Sequence, residues 1–329
     1  MKKYWSLFLY FIKKPENVFI SLSLFFGVLS AILVPQLSVS DENMHYLRAY
    51  GISQGRVESG SRCTLPKDVA KRAGSVYEGN FSADYSKPID RNILDVDKCS
   101  SASGYPPIMH LPQAVGINIA NIFGGSTGLT ILFGRLANLI FYSFALYFII
   151  KWVRVGKWVF VVIGLIPLMV HMAASLSSDC VTNVAVFVIT ALTLNLFTQK
   201  NALSNKQIAA LVCTGILLTL TKSINALLLF PLIFLPKHLF AANKNKNIPF
   251  NIQKWAILIM IGVAAIISLL IWQKIFGQPL LTTGATHNPL HSNPLKFIQI
   301  LFNTYMNPTI GYTDIVLRGS VGDFSSFKY

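Results

Sequence analysis

The chain has 329 residues, 53% of them hydrophobic and only 12% charged, with a mean hydropathy of +0.53. A soluble domain is about a quarter charged, so the deficit, together with repeated long apolar runs, excludes an ordinary soluble enzyme and specifies a multi-span membrane protein. The net charge of +15 raises nucleic acid as a partner, but no basic face with base-reading or stacking groups occurs, and nucleic acid is set aside.

The first segment, residues 1–16, contains "YWSLFLYFIKKPEN". Its aromatic and apolar residues, closed by lysines, predict a short helix along the inner membrane surface that stops before Pro15. The apolar run 17–35 follows. It is too long for a signal peptide and lacks a small-residue cleavage site, so it reads as an anchor. Further apolar runs lie at 128–150, 157–174, 180–198, 206–221, 223–236 and 254–276. A membrane-crossing helix needs about 20 apolar residues, and open strands would leave backbone groups unsatisfied in lipid. The fifth and sixth runs are short and share the turn "LTKSIN", which predicts a tight helical hairpin. The expected fold is therefore an all-α, polytopic transmembrane helical bundle. Residues 17–276 hold about seven helices and the long outer loop 36–127, and residues 277–329 form a C-terminal segment outside the membrane.

Charge sets the orientation. With the N-terminus cytoplasmic, the inner segments hold Lys2, Lys3, Lys13, Lys14, Lys151, Arg154, Lys157, Lys200, Lys206, Lys237, Lys244, Lys246 and Lys254 against one acid, Glu16. The first outer loop, 36–107, carries nine bases and nine acids. That asymmetry is the positive-inside pattern, and the inner lysines also suit anionic lipid headgroups.

The outer loop is too long for a plain connection. Its first part, "SVSDENMHYLRAYGISQG", reads as a helix that Ser38 or Ser40 can cap, with Asp41 and Glu42 in the first turn. Helical spacing puts Asp41, His45, Arg48 and Ile52 on one stripe. The remainder is rich in Ser, Gly and Asp and reads as irregular. Cys63 and Cys99 both lie in it, and an oxidising exterior makes them disulfide candidates. Cys180 and Cys213 fall in apolar runs as packing residues. Next comes "YPPIMHLPQAVGINIANIFGGS", a rigid Pro segment and then a helix started by Pro112 and stopped at Gly124-Gly125. It should lie at the outer surface.

Asp41, His45, Arg48, His110, Arg135, Asp179 and Lys222 all fall at the outer membrane face under this topology, although the inner lysines alone set it. Charge at membrane depth is costly, about 2.5 kcal/mol or more at the centre, so these groups are candidate substrate-binding residues. Each also has a structural reading. Asp41 and Glu42 favour a helix N-terminus, Arg135 can reach headgroups, Asp179 can cap the fourth span, and His45 and His110 can be interfacial residues. Trp152, Trp158, Trp255 and Trp272 suit interfacial belts. His287 and His291 carry no motif.

The segments "SDENMHYLRAYGISQG", "YPPIMHLPQAVG", "GRLANLIFY", "AASLSSD" and "LLTLTKSINALLLFPLI", with the weaker tail "LFNTYMNPTIGYTDIVLRGSVGDF", occur in the order of a known pattern. The chain resembles the bacterial family called domain of unknown function 2142, from residue 15 to about 323, within the C-type (GT-C) membrane glycosyltransferases. The resemblance implies an inner-membrane enzyme with a polyprenyl-phosphate sugar donor and a glycan or glycolipid acceptor on the outer face. It implies that an acid of the first outer loop is the base, which places Asp41 there with Glu42 beside it, and that Arg135 and Lys222 sit near the lipid phosphate. Family members usually continue for several more spans, so the resemblance also implies that this chain is a shortened form. Asp41, Glu42 and His45 can further offer a divalent cation two carboxylates and an imidazole. The competing expectations are a transporter or flippase for a lipid-linked glycan, and a subunit without activity. Transporters commonly carry internal repeats and midplane polar sites; no repeat is visible here.

Overall fold

A computed structural model describes residues 13–56, 63–97, 101–240 and 250–276, with isolated helical positions between 299 and 306. Helix dominates, as expected; the one sheet among the described residues is a two-stranded ribbon. The inner-surface helix expected before Pro15, Cys99, His287, His291 and nearly all of the C-terminal segment lie outside the described residues.

Helix α1, Pro15–Leu33, starts on its proline, whose fixed φ and missing N–H suit a first turn. Phe19, Ser23, Gly27 and Ala31 recur every fourth residue and are buried, while Phe25, Phe26, Ile32 and Leu33 face outward. Four-residue spacing lines up one helix face, and that face packs on α5, Thr127–Trp152. The approach needs a bare backbone at Gly27, where a Cβ would stand 2.2 Å from Leu139 Cδ1. Ser23 and Ser143 hydroxyls meet across the same seam at 2.8 Å.

The outer loop is more ordered than its composition predicts. Helix α2, Glu42–Ser53, is followed by strand β1, Cys63–Pro66, helix α3, Lys67–Gly74, and strand β2, Leu94–Asp97. The strands pair antiparallel with Cys63 opposite Asp97. Arg72 of α3 ties the loop together, donating to the carbonyls of Gln36, Asn80 and Phe81 and to the Ser75 hydroxyl. Below it, Tyr46, Tyr50, Leu65, Val69, Ile117, Ile131 and Leu176 form an apolar cluster that seats the loop on the bundle. Helix α4, Leu111–Ile122, begins with its proline as expected and ends before Gly124 and Gly125, both at positive φ. Its face of Gln113, Ala114, Gly116, Ile117 and Ala120 is buried, and Val115, Ile119 and Ile122 are exposed.

Among the described residues, four helices are long and apolar enough to cross a membrane: α1, α5, α8 (Asp179–Phe197) and the 252–274 part of α10 (Phe250–Phe276). The other three apolar runs depart from single straight spans. Run 157–174 divides into α6, Lys157–Gly164, and α7, Pro167–Ala173. A proline cannot donate to the preceding turn, and it pushes its predecessor out of helical conformation. The Tyr142 hydroxyl donates to the Gly164 carbonyl at the break, at 2.8 Å. Run 206–221 is the 17-residue helix α9, Asn205–Thr221, opened by a reciprocal Ser204–Gln207 capping box. Run 223–236 becomes a 3₁₀ helix, Ser223–Phe234, containing Pro231. As the hairpin expectation requires, it folds back on α9, where Gly215 faces Leu229.

The connections sort into two ends. At one, Arg154 N–H donates to Asn195 Oδ1, His238 meets the Gln199 carbonyl, and Lys254 Nζ donates to the carbonyls of Ile233 and Leu235. This is the lysine end. At the other, the loop end, stand α2, α4, the starts of α5 and α8, and Lys222; Trp272 reaches it to donate to the Gly104 carbonyl.

Candidate functional site

The site has two layers, and the lower one is sealed. Arg135 of α5 and Glu42 of α2 are both 0% exposed. Arg135 Nε donates to Glu42 Oε1 at 2.7 Å and Nη2 to Oε2 at 2.6 Å. Its remaining donors go to the carbonyls of Ala31, Val34 and Pro35, at 3.1, 2.8 and 2.9 Å. Those carbonyls stand at the end of α1, where helix termini leave acceptors unfilled. Glu42 in turn accepts from Leu37 N–H at 2.9 Å and Leu176 N–H at 3.1 Å. One forked ion pair thus joins the end of α1, the start of α2, the middle of α5 and the turn before α8.

This corrects two expectations. Arg135 does not reach headgroups and has no donor left for a phosphate, because all five of its N–H groups are taken by protein. Glu42 does not share the surroundings of Asp41: its carboxylate is taken up by Arg135 in the interior, while Asp41 is exposed. A backbone turn separates them. Leu37 and Asp41 are the non-glycine residues at positive φ, +67° and +58°, among the described residues. With Glu42 Oε2 holding Leu37 N–H, residues 37–42 form a closed loop that presents Asp41. Asp41 is also the N-cap residue of α2 in place of Ser38 or Ser40, and its side chain makes no capping bond.

The upper layer gathers the other candidates. His45, one turn after Asp41, sits with Nδ1 at 2.9 Å from His110 Nε2. His110 is fully buried and His45 is 9% exposed. Burial holds both imidazoles below the usual histidine range, His110 the more strongly; for His45 the charges of Asp179, Asp41 and Glu42 partly oppose this. Arg48 Nη2 donates to the Tyr105 carbonyl at 3.1 Å, and the Tyr105 ring lies tilted beside both histidines, 6.2 and 6.4 Å between centroids.

Lys222 and Asp179 complete the layer. Lys222 lies in extended conformation at the end of α9. Its Nζ meets Asp179 Oδ1 at 2.7 Å, with side chains 42% and 35% exposed. Burial pulls the Lys222 ammonium down, but the hydrogen bond and charge of Asp179 and the nearby Tyr105 outweigh it and hold it above the usual lysine range. Asp179 therefore does more than start α8: its carboxylate spends itself on Lys222, and Ser178 is the N-cap residue.

Sequence reasoning overlooked the residues that place Asp179. Gln113 donates to the carbonyls of Leu176 and Ser177, and Asn138 to those of Ser175 and Ser177. Both amides are 0% exposed. The signal was present, since each is a polar residue inside an apolar helix motif. The Asp41–Glu42–His45 cation set does not form, because Glu42 is committed to Arg135; among the described residues no three His, Cys, Asp or Glu groups gather as a metal would require. Cys63 is described by its backbone only, so the Cys63–Cys99 pairing also lies outside the described residues.

No curated protein and no solved structure matches the chain. Residues 24–317 match the family model described as Predicted membrane protein (DUF2142). That match spans nearly all of the two-layered arrangement and the four long apolar helices beneath it, and on it the chain belongs to the DUF2142 family of predicted membrane proteins.

Proposed function

We propose that this protein is a GT-C-type membrane glycosyltransferase that moves a sugar from a polyprenyl-phosphate donor to an envelope glycan or glycolipid. In this reading it sits in the bacterial inner membrane with its N-terminus cytoplasmic, and the loop end is the extracytoplasmic face. The observation that carries the proposal is the convergence of Asp41, His45, His110, Asp179 and Lys222 at the end opposite the inner lysines. These groups come from four separate stretches of chain, and a donor dissolved in lipid requires a site at that depth.

The chemistry follows from what is accessible. The exposed Asp41 carboxylate takes the proton of the acceptor hydroxyl. The acceptor oxygen bonds to the anomeric carbon, the bond from that carbon to the phosphate oxygen breaks, and its electron pair leaves on the polyprenyl phosphate. Direct displacement inverts the anomeric centre. Lys222 uses one of three ammonium donors on Asp179 and offers the others to the departing phosphate. Arg135 plays no part in this contact; it holds the loop that carries Asp41.

The test is Asp41→Asn at normal expression, read on the cell's surface glycan and on release of polyprenyl phosphate. Loss of one glycan component is expected. An unaltered glycan overturns the proposal, and lipid flipping by the purified protein in vesicles would replace it with a transporter.

A further inference from the structure

The His45–His110 contact asks for a role beyond packing. A 2.9 Å approach between Nδ1 of one imidazole and Nε2 of the other is a hydrogen bond, so one ring donates and the other accepts. His110 is 0% exposed and its Nδ1 has no partner among the described residues. A wholly structural histidine would have both nitrogens satisfied. The His45 side chain makes no other hydrogen bond among the described residues, which leaves its Nε2 as the nitrogen available to a ligand. The same ring lies one helical turn from Asp41 and within the field of Asp179.

We infer that His45 is a proton relay behind Asp41, in which His45 Nε2 accepts the proton and His110 is the positioning residue that fixes the His45 ring and tautomer. The inference rests on the transfer reading above for the source of that proton. His45 Nδ1–H donates to His110 Nε2, which places the one ring proton of neutral His110 on its buried Nδ1. The acceptor hydroxyl yields its proton to Asp41. Asp41 passes it to His45 Nε2, restoring its carboxylate, and His45 becomes an imidazolium. Water then takes the proton, and both residues return to their starting states. The charged groups facing His45 suit the transient cation: Asp41 and Glu42 from α2 and Asp179 from α8 favour it, and Lys222 opposes it. Arg48 of α2 and the Tyr105 ring flank the pair. His110, in a fully buried site beside His45 and Arg48, stays neutral.

Nitrogen-15 histidine spectra of the full chain in nanodiscs test the relay without turnover. The expected result is one bridging proton between His45 Nδ1 and His110 Nε2. His45 Nε2 protonates as pH falls below the usual histidine range, and His110 stays neutral. In the His110→Gln chain that His45 transition should shift. A His45 that titrates identically in both chains, or that carries its proton on Nε2 throughout, overturns the relay. Release of polyprenyl phosphate from a polyprenyl-phosphate hexose then separates the two readings. With the relay in place, His45→Gln slows release at least 10-fold and removes the acid limb of the pH profile. Normal spectra with no release from any such donor would leave the proton site standing and remove the transfer reading; release unaffected by His45→Gln would do the reverse.

Discussion

Two acid–base pairs, Glu42–Arg135 and Asp179–Lys222, stand one above the other at the same end of the bundle, at 2.6 and 2.7 Å. Their lengths are alike and their surroundings are not. The lower pair is fully buried, forked, and saturated by five backbone groups. The upper pair is more than a third exposed on each side and joined by a single contact. Distance alone therefore says nothing about role. Burying a pair makes its charges unavailable to ligands and makes each partner indispensable to the other; leaving it half in water makes it weak and exchangeable.

The sharpest way to break the comparison is to remove one member of the lower pair. Glu42→Gln or Arg135→Met leaves a buried charge uncompensated and should destabilise the protein by about 3–5 kcal/mol. The measurement is the detergent-solubilised melting temperature and the folded yield. Replacing both, Glu42→Leu with Arg135→Met, tests the backbone part. Some buried ion pairs can be exchanged for apolar residues at no cost, but here the N–H groups of Leu37 and Leu176 and three carbonyls would lose partners, at about 1–3 kcal/mol for each one left buried. The double variant should remain clearly destabilised. A double variant as stable as the parent would mean that the pair does not organise the loop.

Gly116→Ala separates the layers in the other direction. Its Cβ would stand 2.1 Å from the Phe133 carbonyl oxygen, a backbone atom that cannot swing away. Overpacking of this kind costs about 1–3 kcal/mol. The displaced helix α4 carries Gln113, which holds the turn leading to Asp179, so the upper pair should loosen while Glu42–Arg135 stays. Hydrogen exchange of Ser177 and Asp179, whose N–H groups donate within the serine turn, against that of Leu37 and Leu176, whose N–H groups Glu42 holds, reads the difference; equal protection loss at both would merge the layers into one.

Asp41→Gly has a smaller effect, of opposite sign. A non-glycine residue in the left-handed region carries about 1 kcal/mol of strain, and Asp41 makes no capping bond that would offset it. Glycine should raise stability by up to about 1 kcal/mol, while transfer is abolished with the carboxylate. An active glycine variant would end the assignment of Asp41 as base.

Much of this was legible in the sequence, and the boundary is physical. Apolar runs, Pro starts and Gly stops are local, and α1, α4, α5 and α8 appear where those signals put them. Among the described residues, Arg154 and Lys254 of the basic set do meet the connections at one end of the bundle. Partners were not legible. Glu42 and Arg135 are 93 positions apart, and His45 and His110 are 65 apart; spacing on one helix cannot state which groups meet across a fold. The separation of Asp41 from Glu42 depends on the left-handed backbone at Asp41, and nothing in the string "SDEN" announces that conformation in an aspartate. Likewise Asn138 of "GRLANLIFY" and Gln113 of "HLPQAVG" were visible, yet their acceptors lie in the serine turn.

The last variant returns to the upper pair. Lys222→Met removes an ion pair that, half in water, is worth about 0–1 kcal/mol, so the melting temperature should barely move. If the ammonium holds the departing phosphate, release of polyprenyl phosphate should nevertheless fall by about 100-fold, the size of losing one preorganised donor to a developing charge. Lys222→Arg should restore part of it, because the charge is kept and only the point geometry is lost. Asp179→Asn provides the counter-test: Lys222 keeps its charge but loses the partner that aims it, so binding of donor should weaken more than the chemical step. Should Lys222→Met prove as destabilising as Glu42→Gln, the two pairs would share one structural role and the division between a sealed lower layer and a working upper one would be gone.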